Sequence, residues 1–169
     1  MRNGGSRKLG LREDWASVPY LLITMIGFAL SVYDFWIFQE KNFKLSVIVL
    51  SGVVLAVFGG YLRIASRRAL IKTGLSMLGS GRLQVVEGQR LVTNGVYSHI
   101  RHPLYLGEIT RNIGFTVILS SFYGLVIILI GILFLLIRIE IEERMLLEEF
   151  DQKYEDYMKK TNKLIPHIY

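Results

Sequence analysis

Long apolar runs without charge are the feature that most constrains this chain. Val18 to Phe38 is apolar apart from Asp34, Leu45 to Leu62 carries no charge, and neither does Ile113 to Ile137. A membrane-spanning helix needs about 20 predominantly apolar residues. The first run is too long for a signal-peptide core and no small-residue cleavage site follows it, so we expect a retained helix. The chain is predicted to be a polytopic, all-α membrane protein.

The third apolar run is interrupted by a cluster typical of a turn. Residues 120–124 read Ser-Ser-Phe-Tyr-Gly, a composition that favours chain reversal. We therefore expect a C-terminal helical hairpin, whose first helix is Leu104 to Leu119 and about 24 Å long at about 1.5 Å per residue. About four transmembrane helices result, and a single long tilted helix in place of the hairpin is the alternative.

Basic residues favour the four-helix topology. They are concentrated in the N-terminal tail, in the 63–103 stretch and in the tail from Arg138, whereas the 120–124 turn has none. Segments rich in Lys and Arg remain cytoplasmic, so both termini are predicted to be cytoplasmic. The net charge of +6 is thus assigned to topology, and no nucleic-acid partner is expected. The absence of cysteine excludes disulfides, thiol nucleophiles and cysteine-ligated metals.

The charged C-terminal tail has helical periodicity. Its apolar residues Leu146, Phe150, Tyr154 and Tyr157 recur at three- and four-residue spacing, as on one face of an amphipathic helix. We expect this helix to span Glu140 to Lys160, to continue from the last span, and to lie on the membrane surface or fold back on the protein.

The segment Asn94 to Glu108 combines residue types that suit a binding site at a membrane boundary. Pro103 fits the first turn of a helix, so His102 would precede that helix and Tyr105 would face the site from its first turn. Interfacial anchoring is the alternative for each residue, since such side chains are common at headgroup level. His99 and His102 are three apart without a third ligand nearby, so no metal is expected.

A second group of charged residues lies where the last span leaves the bilayer. Arg138 and Glu142 are four residues apart and share one helical face. Spacing alone favours an ion pair between them. The alternative is a binding site in which Glu142 meets a cationic group and Arg138 grips a carboxylate through two parallel hydrogen bonds. Asp34 lies near the outer end of its helix, and we expect it to be exposed at the interface.

These two groups together resemble a known family. Leu91 to Tyr97, Arg101 to Gly107 and the later Arg138 with Glu142-Glu143 are similar to the signature of the isoprenylcysteine carboxyl methyltransferases, which share it with the phospholipid N-methyltransferases. The resemblance covers residues 85–169, and the first two spans carry no diagnostic residue. One departure is Asp151, where the family commonly has glycine.

The resemblance implies an integral membrane enzyme that uses S-adenosyl-L-methionine. It implies one domain over residues 1–169, with an N-terminal two-helix part at 18–62 and a cofactor-binding part at 85–169. Arg138 would be the catalytic residue that contacts the methyl acceptor. The implied cofactor-binding residues are Gln89, Arg90, Leu91, Val92, Tyr97, His102, Pro103, Leu104, Tyr105 and Glu142.

The resemblance also implies carboxyl O-methylation of a lipophilic acceptor such as a prenylated cysteine. A carboxylate is already a nucleophile and needs no general base, whereas a phospholipid or other lipid amine would need one. Glu143, Glu108 and His99 are candidates for that base, and nothing in the sequence singles one out. A sterol-type reductase using NADPH and a non-catalytic membrane adaptor are further alternatives. The lipid bilayer and the acceptor are the expected partners, and the oligomeric state stays open.

Overall fold

The computed structural model describes residues 7–8, 14–39, 45–72, 84–85 and 91–165. These residues are mostly helical, which confirms the predicted all-α class. Two short strands, β1 and β2, pair antiparallel, with Arg7 opposite Val85. The elements in chain order are β1 Arg7–Lys8, α1 Ser17–Asp34, α2 Val47–Ile71, β2 Gln84–Val85, α3 Pro103–Ile118, α4 Phe122–Phe150 and α5 Gln152–Met158, with a wider helical turn at Phe35–Gln39 after α1.

Three of the described helices are long and apolar enough to cross a membrane: Ser17–Phe38, Val47–Ile71 and Phe122–Phe150. Many of their large apolar side chains are exposed on the outside of the bundle, as expected of helices that face lipid. The fourth predicted span, α3, has 16 residues and is shorter than the other three. The prediction of a polytopic membrane protein is therefore confirmed.

The third apolar run is indeed divided into two helices. α3 ends at Ile118 and α4 begins at Phe122. Between them Ser120 has a φ of 52°, which ends the helical path. The Ser121 hydroxyl accepts a hydrogen bond from the Gly124 N–H at 2.9 Å, an N-cap for α4. The predicted hairpin is confirmed, and the single long helix is excluded.

α1 and α4 pack antiparallel. At one end Ser121 donates to Asp34 Oδ2 at 2.6 Å, and at the other Arg138 contacts Asp14. The expectation that Asp34 is exposed was wrong: its side chain is buried, because the turn before α4 brings it a hydroxyl partner. A hydrogen-bonded carboxylate can be buried at much lower cost than an unpaired one.

α2 and α3 also pack antiparallel, through glycines. Gly59 lies against the α3 backbone so closely that an added Cβ would be 2.5 Å from the Gly107 carbonyl oxygen. An added Cβ at Gly107 would in turn be 2.7 Å from the Gly59 carbonyl oxygen. Small residues at such contacts let two helix backbones approach in a membrane. This close contact fixes the start of α3 against the middle of α2.

Glu108 links three helices in the interior of the bundle. It accepts a hydrogen bond from Tyr20 of α1 at 2.8 Å and pairs with Arg63 of α2. Asn112, one turn further along α3, donates to the same Tyr20 hydroxyl at 3.2 Å. A polar network that joins neighbouring helices is one way in which membrane helices are held together.

The C-terminal tail differs from the single helix that its periodicity predicts. α4 ends at Phe150, Asp151 adopts φ 48° and ψ −128°, and α5 begins at Gln152. After α5 the chain folds back: the Arg101 N–H donates to the Asn162 carbonyl at 2.8 Å, and the His102 N–H donates to the Lys163 carbonyl at 3.1 Å. Of the two locations expected for the tail, the structure thus has the one against the protein.

We predict that Asp151→Gly stabilises the protein. A side chain at positive φ costs about 1–3 kcal/mol, and glycine adopts this backbone without that cost. Asp151 is exposed and its side chain makes no cap hydrogen bond, so little is lost with the carboxylate. A gain of about 1 kcal/mol corresponds to a Tm increase of about 2–4 °C, measurable by thermal unfolding in detergent.

Asp151→Ala is the control for that measurement, because it removes the same charge and retains the Cβ. Its Tm should not rise. A glycine variant that melts at the wild-type temperature would show that the backbone at Asp151 is unstrained.

Candidate functional site

The motif around His102 lies at the start of α3. A short helical turn, Gly95–Ser98, leads into it, and Pro103 occupies the first turn of the helix, where its missing N–H leaves no donor unsatisfied. His102 is the residue immediately before α3, as predicted. Tyr105 is buried in the first turn, in an apolar cluster that includes Leu135 and Ile139 of α4. The motif therefore packs directly against the last long helix.

Tyr105 connects the two groups of residues that the sequence singled out. Its hydroxyl donates to Glu142 Oε2 at 2.6 Å. The Arg138 guanidinium carbon lies 5.9 Å from the centre of the Tyr105 ring, a distance compatible with a cation–π contact. Tyr105, Arg138 and Glu142 thus form one cluster, although 37 residues separate Tyr105 from Glu142.

Arg138 and Glu142 have partners that their four-residue spacing does not predict. Arg138 Nη2 lies 3.2 Å from Asp14 Oδ2, and Glu142 accepts the Tyr105 hydroxyl. Asp14 lies just before α1 and was not singled out from the sequence. No periodicity connects it with α4, since 124 residues separate it from Arg138.

The neighbouring acids Glu142 and Glu143 have different environments. Glu143 is buried, and it lies 2.7 Å from Arg101 Nε, 3.2 Å from His102 Nε2 and 3.1 Å from Lys163 Nζ. Glu142 is partly exposed. Glu142 is therefore the more accessible of the two acids, whereas Glu143 holds the start of α3, the tail and α4 together.

Arg101 strengthens this structural cluster. Besides Glu143 it donates to the backbone carbonyls of Met158 and Thr161. Arg101 was predicted only as part of the motif, and Lys163 was not singled out from the sequence. An ion pair of Arg101 could have been expected from the sequence, because an arginine beside a buried segment needs an acidic partner.

Tyr97 lies buried beside the same cluster. Its carbonyl accepts a hydrogen bond from the Tyr157 hydroxyl at 2.6 Å. Burial, followed by the nearby negative charge of Glu142, raises the pKa of Tyr97 well above its usual value. Tyr97 therefore stays a neutral phenol at physiological pH.

The remaining predicted cofactor residues are placed as follows. Leu91 and Leu104 are partly buried, and Val92 and Pro103 are buried. Gln89 and Arg90 lie outside the described residues. His102 is buried with its Nε2 at Glu143, whereas His99 is exposed beside the Ser98 hydroxyl.

Comparison with known proteins identifies relatives of the chain. The sequence profile of the Isoprenylcysteine carboxyl methyltransferase (ICMT) family matches residues 48–148. A protein-S-isoprenylcysteine O-methyltransferase of Schizosaccharomyces pombe is 33% identical over 128 residues, which cover 75% of this chain and 53% of that protein. The enzyme of the same name from Dictyostelium discoideum is 31% identical over 159 residues, covering 88% of this chain and 60% of that protein.

A solved structure is similar as well. It is described as the eukaryotic intramembrane Ras methyltransferase ICMT, and it matches with a TM-score of 0.71 at 26% identity. The match covers 89% of this chain and 53% of that chain. The present chain thus spans about half the length of the relatives that it matches. The profile match includes α3 and most of α2 and α4, and with it Tyr105, Arg138 and Glu142. By these matches, the protein belongs to the isoprenylcysteine carboxyl methyltransferase family.

Proposed function

We propose that this chain transfers a methyl group from S-adenosyl-L-methionine to the carboxylate of a lipophilic acceptor, such as a C-terminal S-isoprenylcysteine. The observation that carries the proposal is the cluster of Tyr105, Arg138 and Glu142. It places a cation suited to a carboxylate beside an acid suited to an amino group. The cluster adjoins helices with lipid-facing apolar surfaces, which suits an acceptor with an isoprenoid chain.

The donor set of the site fits this cofactor. Glu142 is an acid that a ligand can reach, and it matches the cofactor's ammonium group. The phenol rings of Tyr97 and Tyr105 stand beside it, and aromatic faces attract cations by about 0.5–2 kcal/mol. We assign the cofactor wall to Glu142 and these rings, with Leu91, Val92, His102, Pro103 and Leu104 and with Gln89 and Arg90 of the preceding loop.

Arg138 would act on the acceptor. When bound, the cofactor supplies an electrophilic methyl group on a sulfonium. Arg138 would hold the acceptor carboxylate through its planar fork and so align one oxygen with that group, since alignment supplies much of the acceleration in such transfers. The burial of Arg138 excludes water, which strengthens its hold on a carboxylate.

The ion-pair partners of the candidate bases favour a carboxyl acceptor over an amine. Glu143 is paired with Arg101, His102 and Lys163, and Glu108 is paired with Arg63. The carboxylates of both residues are thus already engaged by cations, and the third candidate, His99, is exposed beside the Ser98 hydroxyl. A carboxylate acceptor loses no proton on methylation, so the site needs no base.

The location of the site follows from the same proposal. Asp14, the start of α3 and the end of α4 lie at one end of the bundle, and the loop at Ser121 lies at the other. We assign the site end to the cytoplasm, because the basic segments belong to it. Residues 1–169 would act as one membrane domain, with the cofactor bound by the part from residue 85 onward.

The decisive experiment uses methyl-labelled S-adenosylmethionine with the purified protein in lipid and an S-prenylated cysteine. We expect transfer of label and its release as volatile methanol after base hydrolysis, because esters hydrolyse and methylamines do not. Label retained in a lipid amine would establish the N-methyltransferase alternative. Binding of NADPH in place of the labelled cofactor would establish the reductase alternative.

We predict that Glu142→Gln weakens cofactor binding. A hydrogen bond to a charged group contributes about 1.5–3 kcal/mol, so the Kd should rise about tenfold or more, as measured by calorimetry in lipid nanodiscs. Glu149→Gln is the matched control, because Glu149 is an exposed glutamate of the same helix. Wild-type affinity in Glu142→Gln would remove Glu142 from the site.

We predict that Arg138→Lys impairs turnover and leaves cofactor binding nearly intact. Lysine retains the charge that Asp14 needs but lacks the planar fork that grips a carboxylate. We expect a loss of at least about tenfold in kcat/KM for the acceptor, which corresponds to about 1.4 kcal/mol. Arg144→Lys, at an exposed position of α4, serves as the control. Unchanged turnover in Arg138→Lys would make Arg138 a structural residue.

A further inference from the structure

A carboxylate of the chain itself already lies on Arg138. Asp14 Oδ2 is 3.2 Å from Arg138 Nη2, and the two residues are 2% and 8% exposed. A buried ion pair is weak evidence for a stabilising role, since desolvation of both charges offsets most of their attraction. The pair therefore calls for an explanation in terms of the site, where Arg138 is the group assigned to an acceptor carboxylate.

The charges of the cluster cannot accommodate a further carboxylate easily. Among the residues that the structure describes, Asp14 and Glu142 carry two negative charges around Tyr105, and Arg138 carries one positive charge. The net positive charge of the proposed cofactor balances that excess. An acceptor carboxylate would then leave one buried negative charge uncompensated, which is strongly unfavourable. Withdrawal of Asp14 from Arg138 removes the imbalance.

We propose that Asp14 occupies the acceptor carboxylate's place on Arg138, and that an incoming carboxylate displaces it. This proposal rests on the proposed function and adds to it a residue that determines specificity. An acceptor with a carboxylate can exchange for Asp14 with no change in charge. A neutral acceptor would leave Arg138 paired with Asp14 and would gain no binding free energy from Arg138.

The position of Asp14 suits such an exchange. It lies before the first residue of α1, and its own carbonyl accepts a hydrogen bond from the Ser17 hydroxyl at 2.8 Å. Its backbone is thus held at the helix start while the carboxylate projects from the chain. The hydrogen bond to Arg138 joins Nη2 to Oδ2, so rotation of the Asp14 side chain breaks this contact, and side-chain rotation is fast.

A static role for Asp14 gives the opposite expectation. If Asp14 only orients the guanidinium, its removal would leave Arg138 misplaced and would weaken acceptor binding. If Asp14 competes with the acceptor, its removal would strengthen acceptor binding. The sign of the change in acceptor affinity therefore separates the two roles.

The first test compares Asp14→Asn with wild type. The probes are N-acetyl-S-farnesylcysteine and its carboxamide, which share the lipid chain and differ in charge. We expect Asp14→Asn to tighten binding of the acid about tenfold and to leave the affinity for the carboxamide unchanged. Asp156→Asn, which removes an exposed carboxylate paired with Lys159, is the matched control. Unchanged or weaker binding of the acid in Asp14→Asn would overturn the proposal.

The second test leaves Asp14 in place. The chain has two tryptophans, and Trp15 adjoins Asp14 and packs edge-on against Phe134 at 6.3 Å. Trp36 is exposed on the outside of the bundle, so Trp36→Phe leaves Trp15 as the sole tryptophan, which can be excited selectively. We expect the acid to shift Trp15 emission at saturation, because the adjacent carboxylate changes position, and we expect the carboxamide to leave it unchanged.

The outcomes of the second test separate the two proposals. Saturable binding of the acid without a change at Trp15 overturns the role of Asp14 alone and leaves the methyltransferase proposal standing. Failure of the acid to bind both wild type and Asp14→Asn overturns the proposed acceptor, and the role of Asp14 with it.

Discussion

The buried carboxylate of Glu143 is the interaction on which the geometry of the site depends. It is contacted by Arg101 and His102 from the motif before α3 and by Lys163 from the returning tail. A carboxylate buried without partners is strongly destabilising. The motif before α3, the returning tail and α4 must therefore come together whenever the protein folds. The consequence is that Tyr105, one turn into α3, lies against α4.

Glu142 and Glu143 are adjacent on α4 and have different environments. Successive residues of an α-helix project about 100° apart, so Glu142 faces Tyr105 while Glu143 faces the tail. The first is partly exposed and the second buried. A Glu-Glu pair at the end of a membrane span thereby serves two purposes, since one acid holds the fold together and the other stays within reach of a ligand.

The sequence predicts the helices better than it predicts their partners. The apolar runs and the Ser-Ser-Phe-Tyr-Gly turn located the hairpin, and α3 begins and ends within a residue of its predicted bounds. α2 continues beyond its apolar run to Ile71, because charged residues after the apolar run do not by themselves end a helix. The break at Asp151 escaped detection, because the spacing of Leu146, Phe150 and Tyr154 is the same with or without it.

Only those residues of the candidate site that belong to a family motif could be predicted from the sequence. Tyr105 and Glu142 were identified as members of one site through the family resemblance, since nothing in their spacing requires that they meet. The contact of Asp14 with Arg138 depends on the antiparallel packing of α1 on α4, which no local pattern encodes. Long-range ion pairs of this kind follow from tertiary structure alone.

The glycine contact between α2 and α3 makes the geometry of the candidate site sensitive to substitutions at a distance. Gly107 follows Tyr105 by two residues, and no space for a methyl group exists between it and Gly59. A larger side chain at either position would push the first turn of α3 away from its neighbour and carry the tyrosine with it. Displacements near 1 Å can cost an enzyme about a hundredfold in rate. Loss-of-function variants should therefore occur on the opposite side of α3 from the site, among residues that touch no substrate.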